Sequence, residues 1–263
     1  VTADDDPLAR WATDLQAWAI PAAILDQAPQ SPWIHPVESF RPEGDLMVAT
    51  PSRLRALEVL EALDRPSVLD VGCGGGRGAF GLTPPATRVI GVDHQQGMLD
   101  VFADEAHQRG VEVETVLGDW PEVADATPVA DVAICHHVFY NVQRIEPFAR
   151  ALHAHARRRV VVELPVHHPL SGLSDLWEHF WGLRRPTSPT AEDALVAMRR
   201  LGFDAHLERF EVPMPERPVT DRDVEHTRIR LCLPADRDAE LGELLRARPV
   251  RPRELATLWW DTA

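Results

Sequence analysis

Lysine is absent. All 27 cations of the 263-residue chain are arginine, set against 41 acids for a formal charge of −14. So acidic a surface repels polyphosphate, which disfavours DNA or RNA as a partner. Cysteine is scarce: Cys73, Cys135 and Cys232 are isolated and odd in number. They make neither a disulfide framework nor a zinc pattern, so a reducing, cytoplasmic setting is expected. No apolar run approaches the roughly 20 residues that cross a bilayer, and no membrane partner is expected. The start, Val1 to Pro7, lacks a basic stretch followed by an apolar run, so no secretory signal is expected there. The one basic run, Arg157-Arg158-Arg159, reads as a helix end that complements its dipole. What is abundant is apolar: 44% of residues, ample for a packed core and too much for disorder.

Residues 1–50 are rich in Pro and Trp and read as an N-terminal helical cap or lid, with a helix over Pro7–Leu25 that Pro21 interrupts. The Trp33–Phe40 stretch is a Pro-stiffened loop. From residue 51 to 263 one domain is expected, opened by a helix that Ser52 caps and that runs to Leu63. Short β-branched runs follow at Ser67–Val71, Arg88–Val92, Val113–Leu117, Asp131–Cys135 and Val160–Glu163, with helical patterns at Gly97–Arg109 and Gln143–Ala156 between them. Such alternation predicts an α/β fold, a parallel sheet with helices on both faces. Beyond it lie an apolar stripe over Leu173–Leu183, helices at Ala191–Leu201 and Asp236–Arg246, and strands at His206–Val212 and Leu255–Trp260.

The most informative segment is Asp70-x-Gly72-x-Gly74-x-Gly76, where an apolar strand enters a loop with almost no side chains. Glycine lets backbone press against a ligand at the carboxyl edge of a sheet. The dinucleotide spacing Gly-x-Gly-x-x-Gly fails from Gly72, because Arg77 holds the last place, and from Gly74 it passes only in the looser form ending at Ala79. A second strand, Val89–Asp93, ends in an acid, and Gly118-Asp119-Trp120 follows the third. Singly, each acid is an ordinary turn or cap residue; jointly, they mark one site.

With these motifs residues 51–212 resemble the class I, Rossmann-like S-adenosylmethionine (SAM)-dependent methyltransferases. The whole chain looks like an actinobacterial-type, methyltransferase type 11-like group. The resemblance implies a three-layer sandwich whose seven-stranded, mostly parallel sheet has its last strand antiparallel. It implies SAM as cofactor and S-adenosylhomocysteine (SAH) as product, held by Asp70, Gly72, Cys73, Gly74, Gly76, Asp93, His94, Met98, Gly118, Asp119, Trp120 and His136. Within it, Asp93 takes the ribose hydroxyls, Asp119 the adenine amino group, and Trp120 the ring.

The expected acceptor is a small organic molecule, its identity and reacting atom open. The groups preferred beside the reacting atom are His137 and Tyr140, then His136, on the chain after the fourth strand. Trp33, His35, Glu163, His168, Trp177 and Trp181 are candidate substrate contacts, and the stripe bearing Trp177 and Trp181 fits a lid or plain core equally. Adjacent histidines on extended chain point to opposite faces, so the pairs 136–137 and 167–168 offer at most one inward ligand each, and no metal is expected. Two other readings stay open: a nicotinamide-dependent oxidoreductase on the same sheet, and a SAM-binding or partner-binding protein without turnover. The oligomeric state is open.

Overall fold

A computed structural model describes residues 6–32, 44 and 46–262. Helices α1 (Pro7–Gln16), α2 (Ala22–Leu25) and α3 (Pro51–Leu60) lead into β1 (Ser67–Val71), α4 (Arg77–Phe80), β2 (Arg88–Asp93), α5 (Gln96–Arg109) and β3 (Glu112–Leu117). Then come β4 (Ala130–His136), α6 (Ile145–His155), β5 (Ala156–Pro165), α7 (Ser174–Trp181), α8 (Ala191–Arg200) and β6 (His206–Val212). The chain closes with α9 (Asp221–Arg230), α10 (Asp238–Ala247) and β7 (Arg253–Asp261).

The strands form one seven-stranded sheet in the order β3-β2-β1-β4-β5-β7-β6. The pairings among β1 to β5 are parallel, and β7 runs antiparallel to both β5 and β6, as the sequence led us to expect. Every residue of β1 is buried, which is why it reads as an unbroken apolar run around Asp70. Period-two alternation then splits the core. Val68, Val89, Val132 and Val161 pack under α3, α4 and α5, while Leu69, Ile90, Ala133 and Val162 pack under α1, α6 and α8. Chain order reverses beside β1: β2 and β3 lie on one side, β4 and β5 on the other. The loops leaving β1 and β4 therefore diverge and open a crevice at the carboxyl edge.

Two local expectations are corrected. Thr50, not Ser52, caps α3, its hydroxyl accepting from the Arg53 N–H at 3.2 Å. Ser52 is buried and bonds to the Thr257 hydroxyl at 2.6 Å. The Arg157–Arg159 run is no helix end but the start of β5, where Arg159 pairs with Asp261 and Glu58, both at 2.7 Å. The interruption expected at Pro21 is present: α1 ends at Gln16 and α2 begins at Ala22, just past the proline. Helix α9 escaped notice because Val224 is its one buried residue, although Thr220 and Asp223 form a capping box at its start.

Trp177 is fully buried in a separate apolar cluster with Leu176, Val224, Leu231 and Leu241, and the Trp181 indole donates to the Leu231 carbonyl at 2.7 Å. The aromatic stripe of α7 is thus the core of a small helical layer built with α9 and α10.

Candidate active site

The loop after β1 folds back onto β2: the N–H groups of Gly72 and Cys73 both donate to the Val92 carbonyl, at 2.8 and 3.0 Å. Gly72 has φ +72°, and a Cβ there would stand 2.4 Å from Val138 Cγ2, so only glycine fits. The Asp93 carboxylate ties two loops together. Its Oδ2 accepts from the Gly74 N–H at 3.0 Å and its Oδ1 from the Gln95 N–H at 2.9 Å, leaving each oxygen a second lone pair. The Asp93 carbonyl accepts from the Gly118 N–H at 3.0 Å, which fixes the turn after β3. Asp70 is buried, with Oδ2 accepting from the Ala79 N–H at 3.2 Å. Burial pushes its carboxyl up to about 7; the Ala79 bond opposes this and the Asp93 charge adds to it.

These groups line one cleft of about 1610 Å³ at the carboxyl edge. That exceeds the roughly 300–1,000 Å³ typical of a single small ligand and leaves room for two molecules side by side. One end is walled by Asp70, Gly72, Cys73, Gly74, Asp93 and His94, and by Met98, Gly118, Asp119 and Trp120. Trp120 is held by its indole N–H on the Phe148 carbonyl at 3.2 Å. Gly76 is not in the lining: at φ +88° it turns the chain into α4, and a Cβ there would collide with the Phe80 ring.

His136, His137, Tyr140, Glu163 and His168 line the same cleft. His136 and Glu163 are register partners on β4 and β5. His137, just past β4, takes φ +62°, a left-handed conformation that is uncommon for histidine. Its N–H donates to the Glu163 carbonyl at 2.7 Å, and its Nε2 lies 3.2 Å from Glu163 Oε1. A carboxylate there selects the Nε2–H tautomer and leaves Nδ1 as a lone pair. Burial alone would raise the Glu163 carboxyl, but the His137 hydrogen bond, the two neighbouring imidazoles and the Ser52 hydroxyl outweigh it and hold the group at about 2. His136 is kept neutral mainly by burial, and its buried Nε2 has no partner among the described residues.

Tyr140 does not fit the role of base. Its hydroxyl donates to the Pro165 carbonyl at 2.9 Å, and burial pushes the phenol further from ionisation. It pins the end of β5. Tyr140→Phe is expected to cost about 0.5–1.5 kcal/mol of stability, read as a lowered Tm, and to leave turnover nearly unchanged. His168 stacks on Trp18, centroids 3.9 Å apart, and burial followed by the charge of Arg185 lowers it to about 4. Trp177 and Trp181 do not line the cleft, because α7 turns them into the helical layer. Trp33 and His35, with the Trp33–Phe40 loop, fall outside the described residues. The sequence reading missed Trp18, His226 and Arg230, which line the cleft from α1's end and α9. Trp18 lay within the helix expected over Pro7–Leu25; nothing in the sequence marked His226 or Arg230.

Residues 68–159 match the family described as a methyltransferase domain. Curated relatives include the ubiquinone biosynthesis O-methyltransferase of Coxiella burnetii, 28% identical over 42% of this chain and 46% of that protein. Another is the cypemycin N-terminal methyltransferase of a Streptomyces species, 32% identical over 36% of this chain and 38% of that one. The chain thus spans about half the length, or less, of these relatives. Among solved structures, the YcgJ protein of Bacillus subtilis superposes with TM-score 0.54 at 17% identity, covering 80% of this chain and 97% of that one. The magnesium protoporphyrin IX methyltransferase of Synechocystis, solved with SAH, gives 0.50 at 14% identity over 91% and 95%. At such identities the likeness concerns the fold.

Proposed function

With residues 68–159 a methyltransferase domain of the class I fold, we propose that the chain transfers a methyl group from SAM to a small organic acceptor. The observation that carries this reading is the convergence of Asp70, Asp93 and Asp119, from three neighbouring strand ends, on a glycine-walled cleft that holds a histidine–glutamate pair further along. The donor set fits the cofactor. Asp93 keeps free lone pairs for two ribose hydroxyls, Asp119 can accept from the adenine amino group beside Trp120, and Gly72 and Gly74 present backbone rather than side chains to the cleft. When bound, SAM supplies a reactive sulfonium methyl.

The chain's own residues orient the acceptor and take its proton. His137 Nδ1, its lone pair directed by the Glu163 bond at Nε2, is the base for a hydroxyl or ammonium acceptor. Glu163 holds the ring in place through that contact. The N-terminal segment over residues 6–32 acts as a cap, since Leu15 and Trp18 line the cleft. The acceptor is a small molecule rather than nucleic acid, given a net charge of −14, and the three free cysteines fit the cytoplasm. Among the described residues, no helix is long and apolar enough to cross a membrane.

Calorimetric titration with SAM, SAH and NADH tests the reading. Micromolar binding of SAM and SAH without NADH binding is expected; NADH binding alone would return the site to an oxidoreductase, and heat from none of the three removes the reading. A pH dependence follows from Asp70. Its raised folded value means that protonation stabilises the ligand-free protein, a contribution present below about pH 4 and lost as pH rises through about 7. A cationic ligand favours the ionised carboxylate, so SAM affinity should rise from pH 6 to 8 and then level. Asp70→Asn should flatten that rise, and an unchanged slope would remove Asp70 from the site.

A further inference from the structure

The acid that holds His137 is itself held from behind. Side chains alternate along a strand, so Glu163 shares with Val161 the face of β5 that packs under α3. Thr257 is its register partner on the antiparallel neighbour β7, which places both side chains on that one face. Ser52, in the first turn of α3, reaches both of them. Its Oγ lies 2.6 Å from Thr257 Oγ1, and its hydroxyl hydrogen-bonds the Glu163 carboxylate. All three residues are buried.

Each hydroxyl carries one proton, and that fixes the direction of every bond. An ionised carboxylate only accepts, so the Ser52 O–H donates to Glu163. The 2.6 Å contact then runs from the Thr257 O–H to the Ser52 oxygen. A one-way chain results, from Thr257 of β7 through Ser52 of α3 to the Glu163 carboxylate of β5. On its other side that carboxylate faces His137 Nε2 at 3.2 Å. A glutamate side chain has three rotatable bonds, and ordering it against that freedom takes partners that fix its oxygens. Hydrogen bonds to an ionised acceptor are the strong ones, about twice a neutral pair, and they supply that hold. Thr257 lies outside the lining of the cleft, so its hydroxyl acts on the site only through Ser52.

We propose that Ser52 and Thr257 are positioning residues, whose hydroxyls aim the Glu163 carboxylate and through it hold the His137 ring with Nδ1 unprotonated. Catalytic groups work at full rate only when a supporting shell locks their geometry, and here that shell joins α3 to the last strand. The proposal rests on the methyltransferase reading only for calling His137 the base.

Its test needs no methyl acceptor. Long-range ¹H–¹⁵N spectra of the full chain, labelled with ¹⁵N-histidine, are recorded at about pH 9, above the ordinary titration range of imidazole. The signals that vanish in His137→Asn identify His137. In wild type its Nδ1 should resonate as a lone-pair nitrogen and its Nε2 as a protonated one. Ser52→Ala and Thr257→Val should move both signals toward the average of the two tautomers, Ser52→Ala further. Thr257→Ser keeps the hydroxyl and should leave them in place. Signals unmoved in Ser52→Ala and Thr257→Val, with only Tm lowered, would make the hydroxyl pair a plain tie between α3 and β7 and overturn the proposal. A Thr257→Ser spectrum displaced as far as that of Thr257→Val would overturn it too. If Ser52→Ala does not fold, the two Thr257 variants decide. Calorimetry with SAH on the same samples separates the two readings. Displaced signals in a chain that binds no SAH keep the positioning role and remove the methyltransferase reading, whereas SAH binding with unmoved signals does the reverse.

Discussion

Replacing His137 with asparagine is expected to lower kcat by about 10²–10⁴-fold on any hydroxyl or amine acceptor, with SAM affinity unchanged, because general-base catalysis contributes in that range. Asparagine is the informative substitution. It tolerates the left-handed backbone that His137 adopts at φ +62° and can still donate to Glu163, yet it has no nitrogen to take a proton. A fall in kcat with an unmoved Tm separates lost chemistry from lost folding. Glu163→Gln should lower kcat by less than His137→Asn does, since the amide oxygen can still accept from the Nε2–H. An unchanged kcat in Glu163→Gln would make the 3.2 Å contact structural only, and full activity in His137→Asn would end the base assignment.

The second large effect falls on Asp93. Alanine there removes the acceptor for the ribose hydroxyls and also the tie between the loops after β1 and β2. Charge-assisted hydrogen bonds contribute about 1.5–3 kcal/mol each, so SAM affinity should fall by about a hundredfold. Asp93→Asn keeps one acceptor oxygen per side chain and should lose less. Calorimetry with SAH checks both. Affinity unchanged in Asp93→Ala would place the nucleoside elsewhere.

Much of this was legible in the sequence, for identifiable reasons. Strands buried on both faces leave unbroken apolar runs, so β1, β2 and β4 were located within a residue or two at each end. The cofactor side was legible because its groups are local: Asp70, Gly72 and Gly74 sit on one loop, and Asp93 ends one strand. The acceptor side is assembled from afar. Trp18, His168 and Arg230 come from the end of α1, the loop after β5 and α9, and line one cleft only in the folded chain, which no spacing records. Trp177 and Trp181 misled because an apolar helical stripe looks the same whether it faces a ligand or a neighbouring helix. Tyr140 misled differently: its place after β4 was right, but sequence carries no sign that its hydroxyl is consumed by the Pro165 carbonyl.

The central claim is spatial, and a crystal structure of the chain with SAH measures it directly. The account predicts both ribose hydroxyls within about 3 Å of the Asp93 carboxylate, the adenine between Asp119 and Trp120, and the sulfur turned toward the chamber that holds His137 and His168. A nucleoside bound away from Asp93, or a sulfur facing the Gly72 loop with His137 on the far side, would contradict it.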